Sequence, residues 1–584
     1  MKRRTVLASI AAAGAMAGCS TLRPLARARP GESTWPSETA WQDLGREVGG
    51  RLSKVTVPNP DPATARQLFS NPIWIGDQSS LTQASGWVNA WTSAPSAYAV
   101  RVETAADVAA AIKFAARHRV RLVVKGGGHS YMGGSSAPDS LLVWTRGLQA
   151  IEVHDAFVPQ GSTAKAVPAV SVGAGCIWGR VYDEVTTRHG RYVQGGGCTT
   201  VGVAGLVQGG GFGSFSKGFG LAAASLLEAE IVTTDGEVRI VNAAQQPELF
   251  WALKGGGGGT FGVVTRLTLK THDLPAFVGS ANMSVTAHSD EAFRALIARF
   301  VDHYAASLHN PHWGEQVRLM TGRRFSVSMV FQGLDGASAN AAWKDFGDFV
   351  KASPADYDIT EPLAVRALPA RKFWDRDFLA KFAPDAITLD SRPDGNPRDF
   401  WWKGDGDQAA AVLQGYQSTW LPDSLLTKDG QPKLVDAWVA ASKYWTVSFH
   451  FNKGLSGTTS EAREASRATC MNPEVLDAFA LAIIASEGAS TYPQLSAADP
   501  SEVPQRVERI GQAMTALRVA APRAGCYLSE CDFFLESWQR ACWGDNYGRL
   551  KRIKAIYDPD GLFIVHHGVG SEDWTEGGFA PATA

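Results

Sequence analysis

Two nucleophilic side chains, each placed directly after three glycines, carry the chemistry legible in this sequence. They are His129 in Lys125-Gly126-Gly127-Gly128-His129-Ser130 and Cys198 in Gly195-Gly196-Gly197-Cys198-Thr199. Glycine runs suit a backbone that turns sharply and approaches a ligand closely. Successive N–H groups in such a turn form an anion-binding concavity, and Lys125 adds a positive charge beside the first one. A flat or phosphorylated ligand is the expected occupant. Gly134 follows the first stretch, and the second continues through Val201, Gly202, Gly205, Gly209, Gly210 and Gly213. A third cluster, Gly255 to Gly259, leads into Gly262-Val263-Val264. The chain holds 60 glycines in 584 residues, above the roughly 7% of average usage, so isolated tight turns explain the pattern poorly.

His and Cys are also zinc ligands. Neither residue has a second His or Cys close by, and the chain contains no C-x-x-C or H-E-x-x-H. The pair falls short of the four ligands that a structural zinc needs, and no metal is expected. The 56 basic and 57 acidic residues balance, so no field recruits nucleic acid, and the 45% of hydrophobic residues supply a large core. At this length two lobes are expected. No Gly-x-Gly-x-x-Gly opens a helix near the N-terminus, which speaks against a Rossmann NAD site.

Rigid elements must hold these loops. Val120 to Val124 is apolar and β-branched and reads as a buried strand whose end delivers Lys125. Ala99 to Val102 reads as another strand, and Thr104 as the cap of a helix from Ala105 to His118. A comparable order returns with strand Ala169 to Val172, helix Ile177 to His189, the Cys198 loop, strand Leu227 to Thr233, an Asp235-Gly236 turn into Val238 to Val241, and strand Val263 to Lys270. Beyond Leu274-Pro275 the glycines thin out. Helix Glu291 to Ala305 and strand Phe325 to Phe331 predict an antiparallel sheet covered by helices. Trp374, Trp401, Trp402 and Trp420 mark this lobe, as core or as faces for a substrate ring. Lys443 to Asn452 alternates, which predicts a strand with Tyr444, Thr446, Ser448 and His450 on one face.

Lys-Gly-Gly-Gly-His-Ser, then Cys-Thr-Thr-Val-Gly-Val-Ala-Gly with Gly-Gly-Gly-Phe-Gly following, resembles the FAD-binding domain of the vanillyl-alcohol oxidase and p-cresol methylhydroxylase superfamily, in its berberine bridge enzyme-like branch. The resemblance runs from Trp87 to Leu274 and resumes from Trp543 through Phe563. It implies an α+β fold: a two-subdomain FAD-binding domain of the vanillyl-alcohol oxidase type plus a substrate lobe with an antiparallel sheet covered by helices. It also implies covalent FAD, joined by His129 to the flavin 8α-methyl and by Cys198 to ring carbon C6, with a single link as the alternative. Thr199, Gly202, Val263, Val264 and Asn546 then lie around the cofactor.

Carbohydrate oxidases of this branch carry a Tyr-x-Asn segment and, one residue on, a tyrosine base. Here the segment is Tyr527-Leu528-Ser529-Glu530. Tyr527 thus falls beside the flavin and Glu530 is the candidate base, while Ser529 departs from the pattern. Tyr444 and His450 are further acid-base candidates from the lobe's sheet. Val201 occupies a place where smaller side chains accompany oxygen reactivity. The resemblance implies hydride removal from a hydroxyl-bearing carbon of a sugar, oligosaccharide or other alcohol, with molecular oxygen reduced to hydrogen peroxide. A dehydrogenase using a quinone or protein acceptor and a non-catalytic sugar-binding lipoprotein are the competing readings.

Met1 to Leu7 and the small, apolar run Ala8 to Gly18 read as a signal peptide too short to span a bilayer. Arg3-Arg4 resembles a twin-arginine signal. Met16-Ala17-Gly18-Cys19 resembles a lipobox, which implies membrane anchoring through lipid on Cys19; cleavage after Ala15-Met16-Ala17 gives the soluble alternative. Either product is extracytoplasmic, periplasmic or secreted. The expected organisation is a leader over 1–19, a tether and arm without continuous regular structure over 20–86, an FAD-binding domain over 87–275, a substrate lobe over 276–520 and a returning segment over 521–584. Beyond Cys19 and Cys198, five of the seven cysteines remain. Disulfides among Cys526, Cys531 and Cys542 suit an exported chain, and the sequence does not assign a pairing.

Overall fold

A computed structural model describes residues 26–495, 500–575 and 577–582. The leader and Cys19 lie outside the described residues. Thr104 starts the first folding unit as its residue type predicts. Its hydroxyl accepts the Asp107 N–H at 3.2 Å while the Asp107 carboxylate accepts the Thr104 N–H at 3.0 Å. This reciprocal cap opens the helix Ala105–His118, whose Val108, Ala111, Ile112 and Ala115 are buried. The helix packs on a four-stranded sheet ordered Leu52–Lys54, Tyr98–Arg101, Ser140–Trp144, Arg121–Lys125. The last three strands pair in parallel, so Lys125 and the first glycine loop leave the sheet at its edge strand.

The arm is more ordered than its prolines suggest. Helices Glu38–Glu47, Pro62–Phe69 and Pro72–Gly76 form there. Pro62 and Pro72 occupy first-turn positions, where a missing N–H costs nothing, behind the caps Asp61 and Asn71. Trp41 and Leu44 pack into the core of the first sheet. Gly86–Trp87 and Trp91–Thr92 extend the lobe's sheet, so the chain visits the lobe before it builds the FAD-binding domain.

The second subdomain is a sheet ordered Val238–Asn242, Leu226–Val232, Val263–Asp273, Val167–Gly173, Ile151–Phe157, with Arg191–Val193 also pairing with Val263–Asp273. The lobe contributes a nine-stranded sheet. Helices Asp290–His303, Gly336–Lys351, Gln431–Tyr444 and Val503–Arg518 share one apolar core with it. On the short strand Val447–His450, Val447 and Phe449 are fully buried in that core, with Phe449 stacked on Trp438 at 3.8 Å. Ser448 and His450 therefore take the opposite face.

The predicted strand from Lys443 starts too early. Leu434, Val435, Trp438 and Ala441 recur at helical spacing, and the helix they bury runs through Tyr444. Tyr444 is 43% exposed at the helix end, on the covered side of the sheet, and is removed from the acid-base candidates. Trp374, Trp401 and Trp420 are core residues. No helix among the described residues is long and apolar enough to cross a membrane.

Candidate active site

The two glycine loops meet backbone to backbone. A Cβ on Gly127 would lie 2.7 Å from the Gly202 nitrogen, and one on Gly202 would lie 2.8 Å from the Gly127 nitrogen. No side chain fits at either position. The second loop is stitched to the helix start beneath it, where the Trp178 and Gly179 N–H groups donate to Val201 O at 3.1 Å and Thr199 O at 2.7 Å. Among the described residues, the N–H groups of Gly127 to Ser130 donate to no carbonyl or side chain. N–H groups left without protein partners are what an anion-binding turn requires, and they are compatible with a cofactor carrying phosphates.

His129 and Cys198 are both largely buried where these loops meet. His129 Nε2 lies 3.2 Å from the Thr200 hydroxyl. Burial lowers its pKa to about 4, so the imidazole is neutral and nucleophilic at pH 7. The Cys198 thiol faces Asp405; burial and this carboxylate hold it well above the usual thiol range. Burial in turn pushes Asp405 up to about 6, against the Cys198 thiol and the Thr199 N–H, and its Oδ2 has no partner. From the lobe, Trp402 Nε1 donates to Gly197 O at 3.1 Å and Phe400 O accepts the Thr199 hydroxyl at 2.9 Å.

Lys125 departs from expectation. Its ammonium is fully buried and donates to the carbonyls of Gln78, Ser79 and Leu81 at 2.6, 2.8 and 3.0 Å. It ties the arm under the loop and presents no charge to a pyrophosphate. Ser130 accepts the Gly134 N–H at 3.1 Å, which closes the first loop. Gly209, Gly210 and Gly213 are demanded by close packing against Ser529, Met471 and Gly195, whereas Gly205 has nothing within 4 Å of a Cβ and leaves room for a ligand. Val263 and Val264 bury their side chains, so only their backbone can face a nucleotide. Asn546 commits its amide to Met471 O at 2.9 Å, where it fixes the turn that packs on Gly210 and Gly255.

The C-terminal segment packs against the second glycine loop and carries the candidate base. Tyr527 is buried, edge-on to Phe212 with ring centres 5.0 Å apart. Glu530 Oε1 accepts Lys453 Nζ at 2.5 Å, while Oε2 is buried without a partner. His450 lies with Nε2 3.1 Å from the Ser448 hydroxyl and Nδ1 unpartnered; burial holds its pKa well below the usual range.

Several residues here escaped the sequence reading. Tyr131 and Tyr416 place their rings 5.3 Å apart. Burial pushes their hydroxyls up, and the charges on Glu487, Glu530 and Cys198 act on both. Those shared influences put the loop thiol and the candidate base near the same two rings. Glu315, hydrogen-bonded by Ser214, adopts φ +63, a strained conformation for glutamate. Its only sequence signal was a carboxylate interrupting an apolar strand.

Comparison with known proteins agrees with this geometry. A family model described as an FAD binding domain matches residues 96–242, and one described as berberine and berberine like matches residues 526–570. An FAD-linked oxidoreductase of Aspergillus versicolor, notD', is 30% identical, with 94% of this chain and 89% of that protein covered. The crystal structure of the VAO-type flavoprotein MtVAO615 from Myceliophthora thermophila C1 superposes with a TM-score of 0.77 at 24% identity, covering 95% of this chain and all of that one. Glucooligosaccharide oxidase from Acremonium strictum, described with a 6-S-cysteinyl, 8α-N1-histidyl FAD, superposes with a TM-score of 0.60 at 20% identity, over 82% of this chain and 92% of that one.

Proposed function

The chain belongs to the berberine bridge enzyme-like branch of the vanillyl-alcohol oxidase-type FAD-linked oxidoreductases, and on that premise we propose that it is an exported oxidase acting on a hydroxyl-bearing carbon of a sugar, oligosaccharide or other alcohol. Being an FAD-linked oxidoreductase, it is an enzyme, which sets aside the non-catalytic sugar-binding alternative. Glu530 carries the reading. Lys453 holds one carboxylate oxygen, and the other oxygen is free to accept a hydroxyl proton while hydride leaves the same carbon. Bound FAD supplies the hydride acceptor.

In this reading His129 through Nδ1 and Cys198 through Sγ hold that cofactor covalently, and Asp405 takes the Cys198 proton, supported by the Thr200 contact at Nε2 and by Asp405 facing the thiol. Burial raises the pKa of Glu315 and Glu487, so they keep their protons to higher pH than exposed carboxyls and can donate to substrate hydroxyls. Tyr131 and Tyr416 add ring faces and protonated hydroxyls. A polyhydroxylated ring suits this lining. Val201, partly buried beside the Cys198 loop, favours access by oxygen over exclusion of it. Export rests on the Arg3-Arg4 leader, and the lipid-anchored form on Cys19.

The test is acid precipitation of the purified protein, mass spectrometry of flavin-bearing peptides, and a sugar and alcohol screen with peroxide detection. Flavin on peptides containing His129 and Cys198, with peroxide formed on a carbohydrate, is the expected result. Flavin released wholly into the supernatant would defeat the covalent reading; dye reduction without peroxide would replace the oxidase by a dehydrogenase with a quinone or protein acceptor.

A further inference from the structure

The fold assembles a second cluster of soft ligands away from the glycine loops. The sulfurs of Cys526, Cys531 and Cys542 all lie within 4.8 Å of one another, and each residue is at most 2% exposed. Cys526 Sγ and Cys542 Sγ are 4.0 Å apart, and no disulfide joins any pair. His567 Nδ1 lies 3.9 Å from Cys531 Sγ, just outside the group that the three sulfurs form. The backbone supports the arrangement, since the Cys526 N–H donates to Ala541 O at 3.0 Å and so docks the two cysteine-bearing segments. His567 is itself buried, stacked on Trp538 at 5.3 Å, and holds the left-handed φ of +55 that few histidines adopt.

We propose that Cys526, Cys531 and Cys542, with His567 as fourth ligand, bind one structural zinc ion. Zinc–sulfur bonds of about 2.3 Å at tetrahedral angles place sulfurs about 3.8 Å apart, close to the 4.0 Å between Cys526 and Cys542. Three thiols in mutual contact also suit an ion better than a disulfide, which consumes two and strands the third. Binding replaces three thiol protons by Zn2+. Three thiolates, one neutral imidazole and the ion leave a net charge of −1, and nothing is oxidised or reduced.

The position gives the ion a purpose. Cys526 and Cys531 bracket Tyr527 to Glu530, so the ion clamps both ends of the turn carrying the candidate base. Through His567 it also fastens the segment whose Val565 packs against Gly134 and Gly259 in the glycine loops. This consequence rests on Glu530 acting as proposed above; the existence of the site does not.

The experiment is elemental analysis of the full-length protein purified without chelator, paired with intact mass under non-reducing, denaturing conditions. About one zinc per chain, with all three thiols reduced, is expected. In Cys531→Ser the zinc should fall to background, and in His567→Ala the zinc retained against a competing chelator should drop about tenfold or more. Because Cys531→Ser threatens folding, the wild-type stoichiometry decides by itself. Wild-type protein lacking zinc, or lighter by two hydrogens through a disulfide within the cluster, would overturn the site. Full retention in His567→Ala would overturn the fourth ligand. None of these readouts depends on turnover.

Discussion

Glu530→Gln is the decisive substitution. It keeps the shape, the Lys453 contact and the Ser418 hydroxyl bond to the Glu530 carbonyl at 2.5 Å, and it removes only the capacity to accept a proton. General-base catalysis contributes about 10²–10⁴-fold, or about 2.7–5.4 kcal/mol of barrier at 1.36 kcal/mol per decade. The Lys453 and Glu530 side chains are 15% and 17% exposed, so weakening their pair costs on the order of 1.5–3 kcal/mol of stability. The chain should still fold and bind its cofactor. The assay is anaerobic stopped-flow bleaching of the flavin by substrate, which isolates hydride transfer from reoxidation. A limiting rate lowered at least about a hundredfold, with substrate affinity changed by less than about tenfold, is expected. A limiting rate within about threefold of wild type, in protein with unchanged flavin content, would refute Glu530 as the base and leave Glu315 or His450 to be tested.

Gly127→Ala or Gly202→Ala should yield flavin-free or unstable protein, because the new methyl meets backbone at 2.7–2.8 Å; overpacking of this kind costs about 1–3 kcal/mol, and normal flavin content would show that the loops can separate. Lys125→Met strands three carbonyls of the arm and should lower the melting temperature and expose the arm to proteases, while direct loss of flavin from stable protein would restore Lys125 to the cofactor site. Val201→Leu should slow reoxidation by oxygen and spare reduction by substrate; unchanged oxygen reactivity sinks the gating argument. His303 is 3% exposed and burial lowers its pKa from 6.5 to about 4. A depressed histidine pKa makes the unfolded chain bind more protons, so stability present above pH 6.5 is lost as pH falls toward 4, by up to about 3 kcal/mol. His303→Phe should flatten the melting temperature over that window, and an unaltered slope would reject the assignment.

The glycine loops, the Thr104 cap and the alternating β and α order were legible because each is local: a triplet of glycines or a capping threonine states its own requirement. What stayed hidden depends on distant partners. Lys125 looked like a phosphate ligand because nothing near it in sequence reveals the carbonyls of Gln78, Ser79 and Leu81 that occupy it. Tyr444 followed an alternating pattern that the helix preceding it overrode. Asp405 sits in Lys403-Gly404-Asp405-Gly406, which carries no periodicity, and only the meeting of lobe and loop sets it against Cys198. The Cys526, Cys531 and Cys542 spacing matches no short zinc motif, and the fourth ligand arrives from 25 residues beyond Cys542 (567 − 542 = 25).

One physical cause, burial away from water where loop and lobe meet, sets most of the site's chemistry. It strips the proton from His129 and His450 and keeps it on Cys198, Tyr131 and Tyr416. Each neutral form is the less hydrated one. Glu530 differs in having a cationic partner, Lys453, at 2.5 Å. Largely neutral donors and acceptors thus surround two carboxylates, Asp405 beside Cys198 and Glu530 paired with Lys453, an arrangement that suits the proposed hydroxyl-bearing substrate. A substrate bearing its own cation would meet Lys453 as a like charge and would compete for the carboxylate that the reaction requires. The proposed preference for uncharged polyols over amines would follow from where the Lys453–Glu530 pair stands. Replacing Lys453 by Met should weaken that selection by freeing Glu530 to pair with a cation: amine binding, measured by perturbation of the flavin spectrum, should tighten while turnover of the alcohol falls. If amine affinity fell together with alcohol turnover, Lys453 would be orienting both ligands, and the electrostatic account of substrate choice would fail.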